Sequence, residues 1–199
     1  MIGVINYKAG NITSVCNALD SIGADHIVSD EISQLDKAKK IIIPGVGEAH
    51  SAMTSLRELG LVDWLQEVQV PFLGICLGMQ VLFTRSDERD TTCLGVIDGT
   101  IRRFITNETT EKLKIPHMGW NTVELKSENL LFAKIPSGSY FYFVHSYYAP
   151  MVNETTATTE YGAYFSSAVR KDNFYGVQFH PEKSGNQGLQ ILRNFIDLC

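Results

Sequence analysis

The sequence predicts an α/β protein: a doubly wound, mostly parallel sheet with helices on both faces and an added antiparallel β region in its second half. Three observations carry that expectation. Short apolar runs alternate with helix-period segments through residue 84. Those runs are continuously apolar, as in parallel strands covered on both sides. From Gly95 onward the pattern changes to short β-type runs separated by turn residues.

The elements follow in order. Residues 2–7 read as a first strand, and residues 12–22 as a helix with Val15, Ala18, Leu19 and Ile22 on one face, ended by Gly23. A short strand over 26–28 and a short helix over 32–37 come next. Residues 40–43 form a third strand, halted at Pro44-Gly45. One helix then runs through Ala52, Met53, Leu56 and Leu59, and another spans 61–68. The strand at Phe72 stops at Cys76, and residues 77–84 carry apolar residues at helical spacing. In the second half, β-type runs are expected at 100–105, 121–125, 140–146, 161–165, 168–171 and 174–179, packed as an antiparallel layer on the first sheet. A final helix over 188–198 turns Leu189, Leu192, Phe195, Ile196 and Leu198 inward.

A chain of 199 residues without repeat, low-complexity tract or linker reads as one domain, 1–199. Its 44% hydrophobic and 20% charged content is that of a soluble globular protein. The net charge of -5, with no large Lys/Arg cluster, argues against nucleic acid or an anionic membrane as the main partner. The first residues lack a basic stretch followed by a long apolar one, so no signal peptide is expected, and no apolar run approaches about 18 residues. Cys16, Cys76, Cys93 and Cys199 show neither Cys-x-x-Cys nor metal-type spacing, so reduced thiols in a cytoplasm are expected, with no metal or cofactor implied. The sequons at Asn11, Asn107 and Asn153 are then chance matches.

The chemistry centres on Gly74-Ile75-Cys76-Leu77-Gly78. Gly-x-Cys-x-Gly is the thiol form of the nucleophile elbow, a strand-to-helix turn that projects its central residue from the sheet. A helix starting at the sulfur places its N-terminal N–H groups where they favour a thiolate. By itself the segment also fits a buried, inert core cysteine. Nucleophilic catalysis needs a base and a group that orients it. Of five histidines, His26 in a short strand and His50 on an exposed-looking helix read as structural. His180 ends an apolar β run and precedes Pro181-Glu182. In an extended segment residues 180 and 182 share a side, and Pro181 keeps the segment extended, so Glu182 reaches one imidazole nitrogen while the other faces Cys76. Acyl transfer also needs oxyanion donors, and Pro44-Gly45-Val46-Gly47 offers backbone N–H groups at Val46 and Gly47, with that of Leu77 alongside. The same loop is also simply a strand-ending turn.

These residues resemble the class I (triad) glutamine amidotransferases, which pair a Gly-x-Cys-x-Gly elbow with His-Pro-Glu. Ile115-Pro116-His117-Met118-Gly119-Trp120-Asn121, Tyr142-Phe143-Val144-His145-Ser146-Tyr147, Pro44-Gly45-Val46-Gly47 and the start, Asn6-Tyr7-Lys8-Ala9-Gly10-Asn11, are similar to the glutaminase subunits of imidazole glycerol phosphate synthases within that class. The resemblance covers essentially the whole chain. It implies that Cys76 attacks the glutamine amide, His180 moves the proton and Glu182 fixes its tautomer. It places substrate on Gln80, on Glu88 for the α-ammonium, and on backbone and side chains at His145, Ser146 and Tyr147 for the α-carboxylate. Glu88 also fits a merely solvated charged loop, and His145 a strand-end histidine bonded within the core. The family delivers ammonia to a separate (β/α)₈ cyclase subunit in histidine biosynthesis. Asn11, His117, Trp120, Tyr142 and Lys183 are therefore candidates for the contact face of a heterodimer, although Trp120 is equally suited to a core. The glutaminase of pyridoxal phosphate synthase and a stand-alone γ-glutamyl cysteine hydrolase share parts of the pattern.

Overall fold

A computed structural model describes residues 1–7, 11–105 and 113–199. Lys8, Ala9 and Gly10 of the first loop and the sequon at Asn107 lie outside the described residues. The first half alternates as expected: β1 (Ile2–Ile5), α1 (Ile12–Ser21), β2 (His26–Ser29), α2 (Ile32–Leu35), β3 (Lys40–Ile43), α3 (Ala49–Glu58), α4 (Leu61–Glu67) and β4 (Phe72–Ile75). Then come α5 (Leu77–Gln80), β5 (Phe83–Ser86), β6 (Thr91–Thr92), β7 (Ile97–Arg103), β8 (His117–Leu125), β9 (Ser139–His145), β10 (Tyr147–Tyr148), β11 (Thr155–Glu160), β12 (Tyr164–Lys171), β13 (Phe174–Val177) and α6 (Gly185–Leu198).

Among the described residues, nine strands form one sheet in the order β2-β1-β3-β4-β13-β12-β11-β8-β9. The pairings from β2 to β13 are parallel, and those from β13 onward are antiparallel. The antiparallel strands therefore extend the first sheet and do not form a layer packed on it. A separate four-stranded sheet, β10-β7-β5-β6, sits beside it. Two apolar cores flank the main sheet, because alternate residues of a strand face opposite ways. Ile41 and Ile43 join Met53, Leu56 and Leu65 from α3 and α4 on one side. Ile42, Leu73 and Ile75 join Val15, Leu19, Leu192 and Phe195 from α1 and α6 on the other.

Three sequence expectations are corrected. Residues 77–84 are not one helix: α5 is a single turn, and Phe83 begins β5. Val81, Leu82 and Phe83 are all buried, and Leu82 and Phe83 give their carbonyls to Ile97 and Gly95, so that run serves the second sheet. The expected strands 161–165 and 168–171 merge into the single strand β12, which begins only at Tyr164. β11 was not anticipated at all. No helix among the described residues is long and apolar enough to cross a membrane.

Candidate active site

β4 is central and parallel to both neighbours, with Ile43 level with Gly74 and Val177 level with Ile75. Its end is the position where ligands of open α/β sheets bind. Cys76 sits there with φ 54° and ψ -107°, a conformation a non-glycine residue holds only when its surroundings enforce it. The enforcement is close packing. A Cβ on Gly74 would lie 2.4 Å from the Gly78 carbonyl oxygen, and one on Gly78 only 2.0 Å from that of Ile43. Only glycine lets the turn rest against β3. Cys76 N–H is held by the Val177 carbonyl at 2.7 Å. With just four residues, α5 carries little of the dipole the longer helix would have had.

β13 runs parallel to β4, so the chain beyond Val177 arrives beside the thiol. His180 Nδ1 and Glu182 Oε1 are 2.8 Å apart, both side chains 1% exposed. The contact arises differently from the sequence expectation. His180 is extended, but Pro181–Lys183 form a short 3₁₀ turn that starts on Pro181, which favours a first helical position. The Ser184 hydroxyl fastens the turn by donating to the His180 carbonyl at 2.6 Å. His180 Nε2 is buried without a hydrogen-bond partner, so the nitrogen opposite Glu182 is the free one. Burial alone drives the His180 pKa down. The charge of Cys76 and its reach as an acceptor for the Nε2 proton, then the Glu182 hydrogen bond and charge, more than reverse this and lift it to about 10.

A cleft of about 340 Å³ opens over Cys76. It is lined by the residues expected to supply oxyanion donors, Val46, Gly47 and Leu77, and by those expected to hold substrate, Gln80, Glu88, His145, Ser146 and Tyr147. Pro116 and Val144 line it too; both lie in the two long sequence segments singled out above, with no chemistry of their own to mark them. Glu88 is half-buried and accepts the Ala49 N–H at 2.7 Å, fastening the start of α3 to the cleft. Burial raises its pKa, against the pull of that N–H. It is not a merely solvated loop residue.

Three expected sites stand differently from the prediction. The Leu77 N–H, an expected oxyanion donor, points to the Gly45 carbonyl at 3.4 Å and not into the cleft. The His145 ring is fully engaged: Nδ1–H donates to the Tyr147 carbonyl at 2.8 Å, and Nε2 accepts from His117 Nδ1 at 3.0 Å. Asn121 in turn donates to His117 Nε2 at 3.3 Å. Burial pushes His117 to about 4 and His145 to about 3, so both are neutral at pH 7 and the His145 side chain has nothing to offer a carboxylate. His117, 3% exposed and stacked between Phe143 and Tyr161, belongs to no contact face.

Trp120 and Tyr142 are paired across β8 and β9, rings 6.1 Å apart and nearly perpendicular. Trp120 is 55% exposed and is not a core residue. Met118 and Tyr140 stand exposed on the same strands, Lys183 is exposed and Asn11 half-exposed. The Tyr142 carbonyl accepts the His180 N–H at 2.9 Å, so this apolar face is one hydrogen bond from His180.

The class I glutamine amidotransferase family model matches residues 4–198. The chain belongs to the class I glutamine amidotransferase family. Among curated relatives of this amidotransferase, imidazole glycerol phosphate synthase subunit HisH of Bacteroides fragilis is 46% identical over 198 residues, covering 99% of both chains. The protein of the same name from Yersinia pseudotuberculosis is 43% identical over 98% of each. Among solved structures, a glutamine amidotransferase superposes with a TM-score of 0.74 at 20% identity, covering 99% of this chain and 97% of that one. PurLQS from Thermotoga maritima gives 0.71 at 17%, covering 98% and 97%. At such identities the likeness speaks to the fold alone.

Proposed function

We propose that this chain is a glutaminase that hydrolyses glutamine to glutamate and ammonia, as the glutaminase subunit of an imidazole glycerol phosphate synthase. The observation that carries the reading is Cys76 lining a cleft with the buried His180–Glu182 pair behind it, in a chain 46% identical along its whole length to a HisH subunit.

Cys76 attacks the side-chain carbonyl carbon of glutamine, and the resulting oxyanion needs the backbone N–H groups of Leu77 and the 46–47 segment. His180, oriented by Glu182, gives its proton to the departing nitrogen, which leaves as ammonia and a γ-glutamyl thioester. Water then transfers a proton to His180 and adds to the thioester carbonyl, and collapse releases glutamate and the thiolate. Glu88 is the anionic partner for the α-ammonium. With the His145 ring occupied, the α-carboxylate falls to the backbone at His145 and the backbone and hydroxyl groups of Ser146 and Tyr147. The Gly45 carbonyl must release the Leu77 N–H before that donor serves catalysis.

Ammonia is passed to a (β/α)₈ cyclase subunit that makes imidazole glycerol phosphate and AICAR in histidine biosynthesis. The exposed face of Trp120, Tyr142 and Lys183, with Asn11, is where that subunit docks. Docking there accounts for an apolar surface beside the triad. The chain is one cytoplasmic domain in this reading. Glutaminase activity measured with and without the cyclase and its nucleotide substrate tests it. Strong stimulation by both is expected, and activity independent of any partner would sink the assignment.

A further inference from the structure

Gln178, a polar residue in an otherwise apolar β run, is wholly buried and touches the nucleophile. It follows β13 directly, its backbone N–H fixed to the Ser167 carbonyl at 2.9 Å. Three hydrogen bonds settle which way its amide faces. The Tyr147 backbone oxygen can only accept, so the group 2.8 Å away must be the NH₂ of Gln80. The same NH₂ lies 3.0 Å from Gln178, whose oxygen must therefore face it. That leaves the Gln178 NH₂ directed at Cys76 Sγ, at 3.6 Å.

We propose that Gln178 is a fixed hydrogen-bond donor to the Cys76 sulfur, held in that orientation by Gln80 and the Tyr147 carbonyl. The proposal rests on the glutaminase reading. A carboxamide free to rotate would present oxygen to the thiolate as readily as nitrogen, and the oxygen would repel it. Locked, it stabilises the anion that attacks the amide and the same anion when the thioester collapses. A second consequence concerns Gln80. Both hydrogens of its NH₂ are used, so the only group it offers the cleft is its carbonyl oxygen. It therefore accepts from N–H groups of the substrate and does not bind the substrate carboxylate.

The titratable groups around the sulfur are His180, with Glu182 behind it, and His145 and Tyr7. Burial keeps His145 at about 3 and holds the Tyr7 phenol well above its usual range, so neither changes charge between pH 5 and 10. Any change in thiolate reactivity over that interval then reports on His180 and the Gln178 donor.

The test is alkylation of the full chain by iodoacetamide across pH 5–10, read on the Cys76 peptide by mass spectrometry. Gln178→Met keeps the volume and removes the donor. Its Cys76 alkylation profile is expected to move up in pH by about one unit and to match the wild type at pH 10, since a hydrogen bond to an anion shifts the thiol–thiolate balance by about tenfold. A structural defect alone would change the rate at every pH. Gln80→Met, which does not touch the sulfur but frees the Gln178 amide, is expected to move the profile by an intermediate amount. It keeps the proposal testable if Gln178→Met does not fold. An unshifted profile in either folded variant would overturn the proposal. Failure of the glutaminase reading looks different: in the wild type itself, Cys76 would react no faster at pH 7 than the partly exposed Cys16.

Discussion

Gly78→Ala tests whether close packing of the elbow on β3 sets the position of the nucleophile. The new Cβ would sit 2.0 Å from the Ile43 carbonyl oxygen and 2.9 Å from the Ile43 side chain, where contacts below 3.0 Å are not tolerated. The obstacle is backbone in the middle of the sheet, and β3 cannot retreat because Ile43 is itself packed in the core. The turn must instead lift by about 1 Å, carrying Leu77 and Cys76 with it. Overpacking of this kind costs about 1–3 kcal/mol of stability. Displacing a catalytic group by about 1 Å costs on the order of 100-fold in rate. Gly23→Ala is the matched control. Gly23 has φ +71° and no atom within 4 Å of the added methyl, far from the cleft, so only left-handed strain of about 1–2 kcal/mol is expected, with unchanged kcat. Urea midpoints and partner-stimulated glutaminase rates measure both. Gly78→Ala within twofold of wild-type activity would refute the reasoning.

The remaining predictions concern charge and surface. His180 is raised to about 10 in the fold against about 6.5 in an unfolded chain, so its stabilisation is complete below about pH 6.5 and is lost as pH climbs through about 10. Burial opposes the shift and Cys76 is its leading favourable cause. In Cys76→Ala the loss should begin at lower pH, as urea midpoints from pH 6 to 11 would record; superimposable profiles would contradict the charge coupling. Histidine NMR titration should find His117 and His145 neutral at every pH above 5, because burial holds them near 4 and 3. A midpoint close to 6.5 for either would break the hydrogen-bonded pair as drawn. Trp120→Ala should weaken partner binding by about 1–3 kcal/mol, as for a central aromatic anchor, and change the stability of the isolated chain by less than about 0.5 kcal/mol. Calorimetric titration with the cyclase reads the first, and an unaltered affinity would place docking elsewhere.

Local pattern carried the first half of the fold, where each strand is an apolar run and each helix has one apolar face. It failed where burial is achieved without apolar residues. β11 is Thr155-Thr156-Ala157-Thr158-Thr159-Glu160, and Thr156, Thr158 and Thr159 are buried between strands on either side. Its β-branched threonines were the one available signal. Val81-Leu82-Phe83 failed in the opposite sense, since contiguous apolar residues fit a helix and a strand equally well. In the site, Cys76, His180 and Glu182 were legible from spacing, though the route from His180 to Glu182 is a turn and not an extended segment. The roles of polar side chains were not legible. Whether His145 faces substrate or core depends on His117 and Tyr147, and Gln178 matters through Gln80. Those partners are set by pairing β8 with β9 and β4 with β13, which no local pattern encodes.

The central claim is that Cys76 cuts glutamine so that another subunit can use the ammonia. Cys76→Ala, assembled with the cyclase, tests it when imidazole glycerol phosphate formation is measured first with glutamine and then with ammonium salt as nitrogen source. Loss of the glutamine-dependent reaction with the ammonia-dependent rate kept at the wild-type level is the predicted result. Full glutamine-dependent synthesis by the variant would contradict the account.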